Sequence, residues 1–204
     1  NLPLNESFAT YAEYLWKIHK YGKDEADYNL YDELDSYLSE AEYKKEDLIR
    51  FYYDNSDDMF DNHSYAKGGL VLHLLRNYVG DEAFFKSLGY YLKNHAYGKA
   101  EIHELRLAFE QVTGEDLNWF FNQWFLSAGH PKLRIEQEYD SGNGKLIVKV
   151  HQDQDLAISP VYQLPLTVDV WEKGQKNQYN IEINKPYQEF EFESNQRPEL
   201  IIVD

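Results

Sequence analysis

The spacing of the apolar residues changes near Pro131, and this change constrains the fold more than any other feature of the 204-residue sequence. Before Pro131, apolar side chains recur every three or four positions, as on one face of a helix. After it they alternate with polar side chains, as in a strand with one buried face. The sequence therefore predicts an α+β protein, with a helical domain over residues 1–130 and a small antiparallel β-sandwich over residues 131–204.

The helical part is expected to contain about six helices. The strongest pattern covers residues 63–79 and predicts five inward side chains: Leu70, Val71, Leu74, Leu75 and Tyr78. Residues 48–60 fit neither period, because an acidic run breaks a strand-like segment. The expected helices cover 6–21, 24–44, 63–79, a segment beginning at 81, 100–112 and 116–127, and the expected strands cover 132–139, 146–151, 164–172, 178–184, 187–193 and 199–203.

The charge and composition exclude several classes of protein. With 36 acidic and 20 basic residues, the chain has a formal charge of −16. Nucleic-acid binding is excluded, because phosphate contacts need Lys and Arg. No apolar run approaches the ~20 residues of a membrane span. The chain has no cysteine, which excludes disulfides and Cys-ligated zinc and fits the periplasm and the cytosol equally, so no compartment is assigned.

The residues that most often carry chemistry form no complete site in this sequence. The seven histidines are scattered, and none belongs to an H-E-x-x-H or Glu-x-x-His pattern. A zinc site built wholly within the chain is therefore not expected. The acidic run 54–58 resembles the start of a calcium loop, but Met59 and Tyr65 stand where an EF-hand needs Gly and Glu.

Two segments nevertheless stand out. In LNESFATY, residues 4–11, an acid opens a helix whose other face is aromatic. In HSYAKGGLVLHLLR, residues 63–76, two adjacent glycines lie inside a helix, where each costs about 0.5–1 kcal/mol relative to Ala. Such a cost indicates close helix packing or a nearby functional site.

These segments resemble two motifs of the gluzincin-type zinc aminopeptidases, the family of aminopeptidase N and leukotriene hydrolase. The first is similar to that family's W-L-N-E-G-F-A-x-Y motif and the second to its Y-x-K-G motif. The resemblance continues in order through residues 80–84, 113–117, 119–124 and 129–131, and more loosely into the sandwich. It implies that the helical part belongs to a thermolysin-like catalytic domain.

The resemblance also implies roles for two residues. Glu6 matches the family's third zinc ligand, and Tyr65 matches the tyrosine whose hydroxyl stabilises the tetrahedral intermediate. Asn5 is expected to help orient Glu6, and Lys67 is expected to be structural. Two departures adjoin the ligand, since Pro3 stands where the family has Trp and Ser7 where it has Gly. The implied cofactor is one zinc ion, and the implied substrates are peptides.

The family's two His ligands and its glycine-rich amine-binding motif would precede residue 1. The chain is therefore expected to be a carboxy-terminal piece, with the His ligands on the upstream part of the same polypeptide. Such a piece is expected neither to retain zinc nor to cleave peptides. Two alternatives remain open at this point: a non-catalytic scaffold or peptide-binding module, and a carbohydrate-binding sandwich with exposed Tyr162, Trp171 and Tyr187.

Overall fold

Helices and strands occupy separate parts of the chain in the computed structural model, which describes residues 2–204. The chain divides between Gly129 and His130 into two units, each with its own internal contacts. The first unit contains a 3₁₀ turn at Ser56–Met59 and a π-helical turn at His63–Lys67. Its α-helices are α1 (Leu2–Tyr21), α2 (Lys23–Ala41), α3 (Gly68–Val79), α4 (Asp81–Asn94), α5 (Ile102–Thr113) and α6 (Asn118–Trp124). The predicted α+β class is confirmed.

Glycines and a capping box set the ends of the middle helices. Gly80 has φ +81° and separates α3 from α4, and Gly114 is left-handed after α5. Both conformations disfavour a side chain, so each helix ends where a glycine allows the turn. Glu101 and Glu104 form a reciprocal capping box at the start of α5.

One part of the core of the helical unit lies between α1, α4 and α5. On α1 the buried side chains follow helical spacing, at Pro3, Ser7, Tyr11 and Tyr14. The Tyr11 ring meets Phe84 edge-on at 5.8 Å, and Phe84 in turn meets Phe109 at 5.6 Å. These rings join three helices in one apolar contact chain.

The inward face of α3 is partly different from the one predicted. Leu74 and Tyr78 are each 38% exposed, whereas Leu72 is fully buried. The reason is that Gly68 and Gly69 face α1, which centres the buried stripe on Gly68, Leu72 and Leu75. Leu74 consequently lies at the edge of the helix that faces solvent.

The segment between α2 and the π-helical turn has little regular structure. It is anchored by Leu48, which is 1% exposed, and by the Ile49 amide, which donates to the Phe125 carbonyl at 2.9 Å. The acidic run ends in the 3₁₀ turn, where the Asn55 side chain accepts a hydrogen bond from the Asp57 amide. No described helix, over residues 2–204, has both the length and the apolar character needed to cross a bilayer.

Two three-stranded antiparallel sheets make up the second unit. Their orders are β1-β2-β5 and β4-β3-β6. On β2 every second residue is buried, including Leu146, Val148 and Val150. The rings of Tyr179 and Phe192, one from each sheet, contact each other with their centroids 4.5 Å apart. The strands are β1 (Leu133–Asp140), β2 (Lys145–Gln152), β3 (Leu164–Glu172), β4 (Gln175–Ile183), β5 (Tyr187–Glu193) and β6 (Leu200–Val203).

Candidate active site

Glu6 lies in the second turn of α1 and is partly buried. Its position follows from the packing of the helix, because Pro3, Ser7 and Tyr11 form the buried stripe of α1. Glu6 is next to that stripe, so its carboxylate lies at the edge of the core. A carboxylate in this position can reach a ligand and still be held by a rigid helix.

Tyr65 occupies the middle of the π-helical turn. The other four residues of this turn, His63, Ser64, Ala66 and Lys67, are buried, and Tyr65 alone is partly exposed. A π-turn is rarer than an α-turn and is frequent at functional sites, so its presence at Tyr65 favours a functional role for this segment. The turn holds the backbone of Tyr65 in place and directs its side chain outward.

The structure brings Glu6 and Tyr65 into contact. The Tyr65 hydroxyl lies close to the Glu6 carboxylate, near enough for a hydrogen bond between them to contribute to the pKa of Tyr65. Partial desolvation of the hydroxyl, together with this hydrogen bond and the carboxylate charge, raises the pKa of Tyr65 above its ordinary value. The phenol is therefore protonated at neutral pH and can act as a hydrogen-bond donor.

Close packing of α1 on the start of α3 explains this contact. A Cβ added to Gly68 would lie 1.9 Å from the Ser7 Oγ, and one added to Gly69 would lie 3.1 Å from the Thr10 Cγ2. The two glycines therefore let the helix backbones approach where any other residue would separate them. The Ser7 hydroxyl also donates to the Ser64 carbonyl at 2.8 Å.

A polar network fixes the other side of the π-helical turn. His63 Nδ1 lies 2.8 Å from a carboxylate oxygen of Glu40, and the Ser64 amide donates to Asp61 at 2.9 Å. Asp61 itself pairs with Lys44 and Arg50, each at 2.6 Å. Burial lowers the pKa of His63, so its imidazole is neutral at pH 7.

Lys67 is buried at the end of the same turn. Its side chain is almost completely enclosed, and its ammonium lies 5.7 Å from the Tyr37 ring centroid. Within the described residues, Lys67 Nζ has no hydrogen-bond partner. Burial lowers its pKa to about 8, and the nearby Asp47 opposes part of that shift. The structural role expected for Lys67 remains a prediction.

Among the residues that the structure describes, Glu6 belongs to no group of three or more potential metal ligands. Over residues 2–204, three or more His, Asp or Glu side chains converge at one place alone, which is Glu40, Asp61 and His63. Lys44 and Arg50 already neutralise Asp61 there, so a divalent cation would have to displace two ion pairs. Glu6 is outside this group. As a half-buried carboxylate it suits zinc, provided that further ligands come from elsewhere.

The first turn of α1 borders an open groove. Leu4 and Asn5 line this groove together with Phe60 and Tyr97, and its volume is about 910 Å³. Asn5 is exposed, as are both aromatic rings. The turn next to Glu6 is therefore accessible from outside the helical unit.

Comparison with known proteins identifies the family. Residues 1–124 match the family described as the peptidase family M1 domain. The chain belongs to this family. Its matched region includes Glu6, Tyr65 and all of α1 to α6.

Several relatives of the chain are aminopeptidases. Aminopeptidase M1 of Arabidopsis thaliana is 36% identical over 174 residues, which cover 74% of this chain and 19% of that protein. Aminopeptidase N of Streptomyces lividans is 36% identical over 149 residues, which cover 69% of this chain and 17% of that protein. The chain thus spans about a fifth of the length of these relatives.

A solved structure shares the fold. The crystal structure of Legionella pneumophila aminopeptidase A in complex with aspartic acid superposes with a TM-score of 0.73 at 18% identity, covering 97% of this chain and 22% of that one. The similarity covers residues of both units of the present chain. At this level of identity it supports the fold assignment alone.

Among the residues predicted from the sequence, Glu6 and Tyr65 lie close together. The predicted carbohydrate-binding surface of Tyr162, Trp171 and Tyr187 is not formed as expected. Tyr162 is fully buried, so the expected carbohydrate-binding set of exposed aromatics is wrong at that position. The Gln152 side chain bonds to both the amide and the carbonyl of Tyr162, which fixes the backbone at this position. The contribution of Ser7 was not predicted. The sequence feature that could have indicated it is the serine beside Glu6, at a position where the resembled motif has glycine.

Proposed function

We propose that this chain is part of a zinc aminopeptidase that hydrolyses the amino-terminal peptide bond of peptides. The observation that carries this proposal is the contact between Glu6 and Tyr65, within the region that matches the peptidase M1 family. One residue is a suitable metal ligand and the other a suitable oxyanion donor. Relatives that carry the name aminopeptidase support the same reaction class.

The proposed role of Glu6 is to hold zinc with one carboxylate oxygen. The remaining protein ligands, two histidines, would come from an upstream part of the same polypeptide. When bound, zinc polarises the scissile carbonyl and lowers the pKa of a water molecule. Because Glu6 is fixed on α1, its carboxylate needs little reorganisation to act as a ligand.

The proposed role of Tyr65 is to donate its hydroxyl proton in a hydrogen bond to the developing oxyanion. Its phenol is protonated at neutral pH and lies close enough to the Glu6 carboxylate to share a hydrogen bond with it. An oxyanion at the neighbouring position would accept the same hydrogen bond. Removing one such donor from an enzyme typically costs about 3–4 kcal/mol of transition-state stabilisation.

The metal-binding role can be tested in the full-length protein by metal analysis and by turnover of an aminoacyl anilide. We expect wild type to hold one zinc ion and to lose turnover with a chelator. Glu6→Gln should lose the zinc, because an amide is a weak zinc ligand. Glu13→Gln, an exposed glutamate of the same helix, is the matched control and should retain both zinc and turnover.

The 204-residue chain provides a second test. We expect it alone to hold no stoichiometric zinc and to show no turnover, because Glu6 is the one zinc ligand that we assign to it. Tight zinc binding by the isolated chain would place the whole ligand set within residues 1–204 and would contradict this proposal. Absence of turnover in zinc-loaded full-length protein would contradict the aminopeptidase assignment itself.

A further inference from the structure

One buried hydrogen bond joins the immediate neighbours of Glu6 and Tyr65. Ser7 follows Glu6, and its Oγ donates to the main-chain carbonyl of Ser64, which precedes Tyr65. The donor-to-acceptor distance is 2.8 Å, and Ser7 and Ser64 are each 1% exposed. This bond is therefore shielded from water and links the turn of α1 that carries Glu6 to the π-helical turn that carries Tyr65.

The Ser7 side chain has little freedom to leave this position. It fills the notch above Gly68, where an added Cβ would lie 1.9 Å from Ser7 Oγ and 2.6 Å from Ser7 Cβ. The absent side chain of Gly68 thus provides the space that the hydroxyl occupies. Since a buried hydroxyl needs a partner, the Ser64 carbonyl both orients Ser7 and is satisfied by it.

The bond is particular to this sequence rather than carried by the family resemblance. The resembled motif has glycine after the metal-ligand glutamate, and glycine has no hydroxyl to donate. Here serine stands at that position. Two groups that act on one reacting centre must keep their relative position, since a misplacement of about 1 Å can reduce the rate about 100-fold.

We propose that Ser7 is a positioning residue, which holds Glu6 and Tyr65 in register through the hydrogen bond from its Oγ to the Ser64 carbonyl. The consequence for catalysis rests on the proposed function. Ser7 itself touches neither substrate nor metal. It acts by fixing α1 against the π-helical turn, so that the carboxylate and the hydroxyl face the same point.

The kinetic test compares Ser7→Ala with wild type in the full-length protein. We expect kcat for an aminoacyl anilide to fall about 10-fold or more, with KM changed by less than about two-fold and zinc content unchanged. The matched control is Ser87→Ala on α4, which removes another buried serine hydroxyl, bonded to the Ala83 carbonyl at 2.7 Å. Ser87→Ala should keep the wild-type kcat, because the Ser87 hydroxyl bonds within its own helix and does not link α1 to the π-helical turn.

A second variant separates the hydrogen bond from the packing. Ser7→Cys fills the same notch with a weak donor. If the bond positions Tyr65, Ser7→Cys should also lower kcat. Wild-type kcat in either Ser7→Cys or a folded Ser7→Ala protein would overturn the proposal.

A structural readout does not depend on activity. In the 204-residue chain with ¹³C-labelled tyrosine, the ring signals of Tyr65 can be identified by their loss in Tyr65→Phe. We expect Ser7→Ala to shift these signals and Ser87→Ala to leave them in place. Unshifted Tyr65 signals in Ser7→Ala would overturn the coupling. Absence of turnover in the wild-type full-length protein would instead refute the proposed function and leave this readout valid.

Discussion

Gly68 and Ser7 leave no room for another atom between them. A Cβ on Gly68 would lie 1.9 Å from Ser7 Oγ, so Gly68→Ala must displace either the side chain or the helix. This overpacking is expected to reduce the free energy of unfolding by about 1–3 kcal/mol. Urea denaturation measures the change. Gly89→Ala, in the open middle of α4 with nothing within 4 Å of the added Cβ, is the control and should stabilise by about 0.5–1 kcal/mol.

Removing the Ser7 side chain should relieve that overpacking. In Ser7→Gly the nearest Ser7 atom to the new Cβ is Cα, at 3.4 Å, which is tight but tolerable contact. Gly68→Ala should therefore reduce the free energy of unfolding less in the Ser7→Gly background than in wild type, by a difference of at least about 1 kcal/mol. Equal costs in the two backgrounds would show that Ser7 is not what excludes a side chain at Gly68.

Lys67→Met should stabilise the protein at pH 7. It replaces a buried ammonium, which has no hydrogen-bond partner among residues 2–204, with an apolar side chain of similar length. The expected gain in the free energy of unfolding is about 1–3 kcal/mol. Lys93→Met, on the exposed face of α4, is the control. A loss of stability in Lys67→Met would show that the ammonium has an energetically important partner.

The gain from Lys67→Met should depend on pH. Burial lowers the folded-state pKa of Lys67 to about 8, below the unfolded value near 10.5. The cost of burying the charge is thus present in full below pH 8 and is relieved as the pH rises above it. Urea denaturation from pH 7.5 to 9.5 should show the difference between wild type and Lys67→Met becoming smaller, and a constant difference would contradict the shift.

His63 should make the protein sensitive to mild acid. Burial lowers its folded-state pKa below the unfolded value of about 6.5. As the pH falls below 6.5, the unfolded chain takes up a proton that the folded protein resists, so stability falls by at most about 1.4 kcal/mol per pH unit for this group. His63→Gln should reduce the slope between pH 7 and 5.5, and His19→Gln, at an exposed site, should leave it as it is. Equal slopes in wild type and His63→Gln would contradict this account.

The periodicity of the sequence predicted most of the fold. The strands at 164–172 and 187–193 coincide with those observed, and the helix end at Gly80 was visible from glycine followed by acids. These features are local, because they depend on spacing and on the conformational needs of single residues. The π-helical turn at His63–Lys67 was not predicted, since its extra residue per turn leaves no distinct pattern in five residues.

The candidate site depended on a different kind of information. Spacing and composition assign no role to Glu6 or Tyr65, and the two were connected through resemblance to a family motif. The bond from Ser7 to Ser64 joins residues 57 positions apart, and no periodicity relates positions that distant. The adjacent glycines at 68 and 69 did indicate close packing, but their partners, Ser7 and Thr10, could be identified only from the structure.

The central claim is that the Tyr65 hydroxyl stabilises the oxyanion. Its most direct test is the turnover rate of the zinc-loaded full-length protein that carries Tyr65→Phe. The substitution removes one hydroxyl from a partly exposed ring, so the fold and the zinc content should be unchanged. If Tyr65 donates to the oxyanion, kcat for an aminoacyl anilide should fall about 100- to 1,000-fold. A variant that holds zinc and turns over at the wild-type rate would contradict the account.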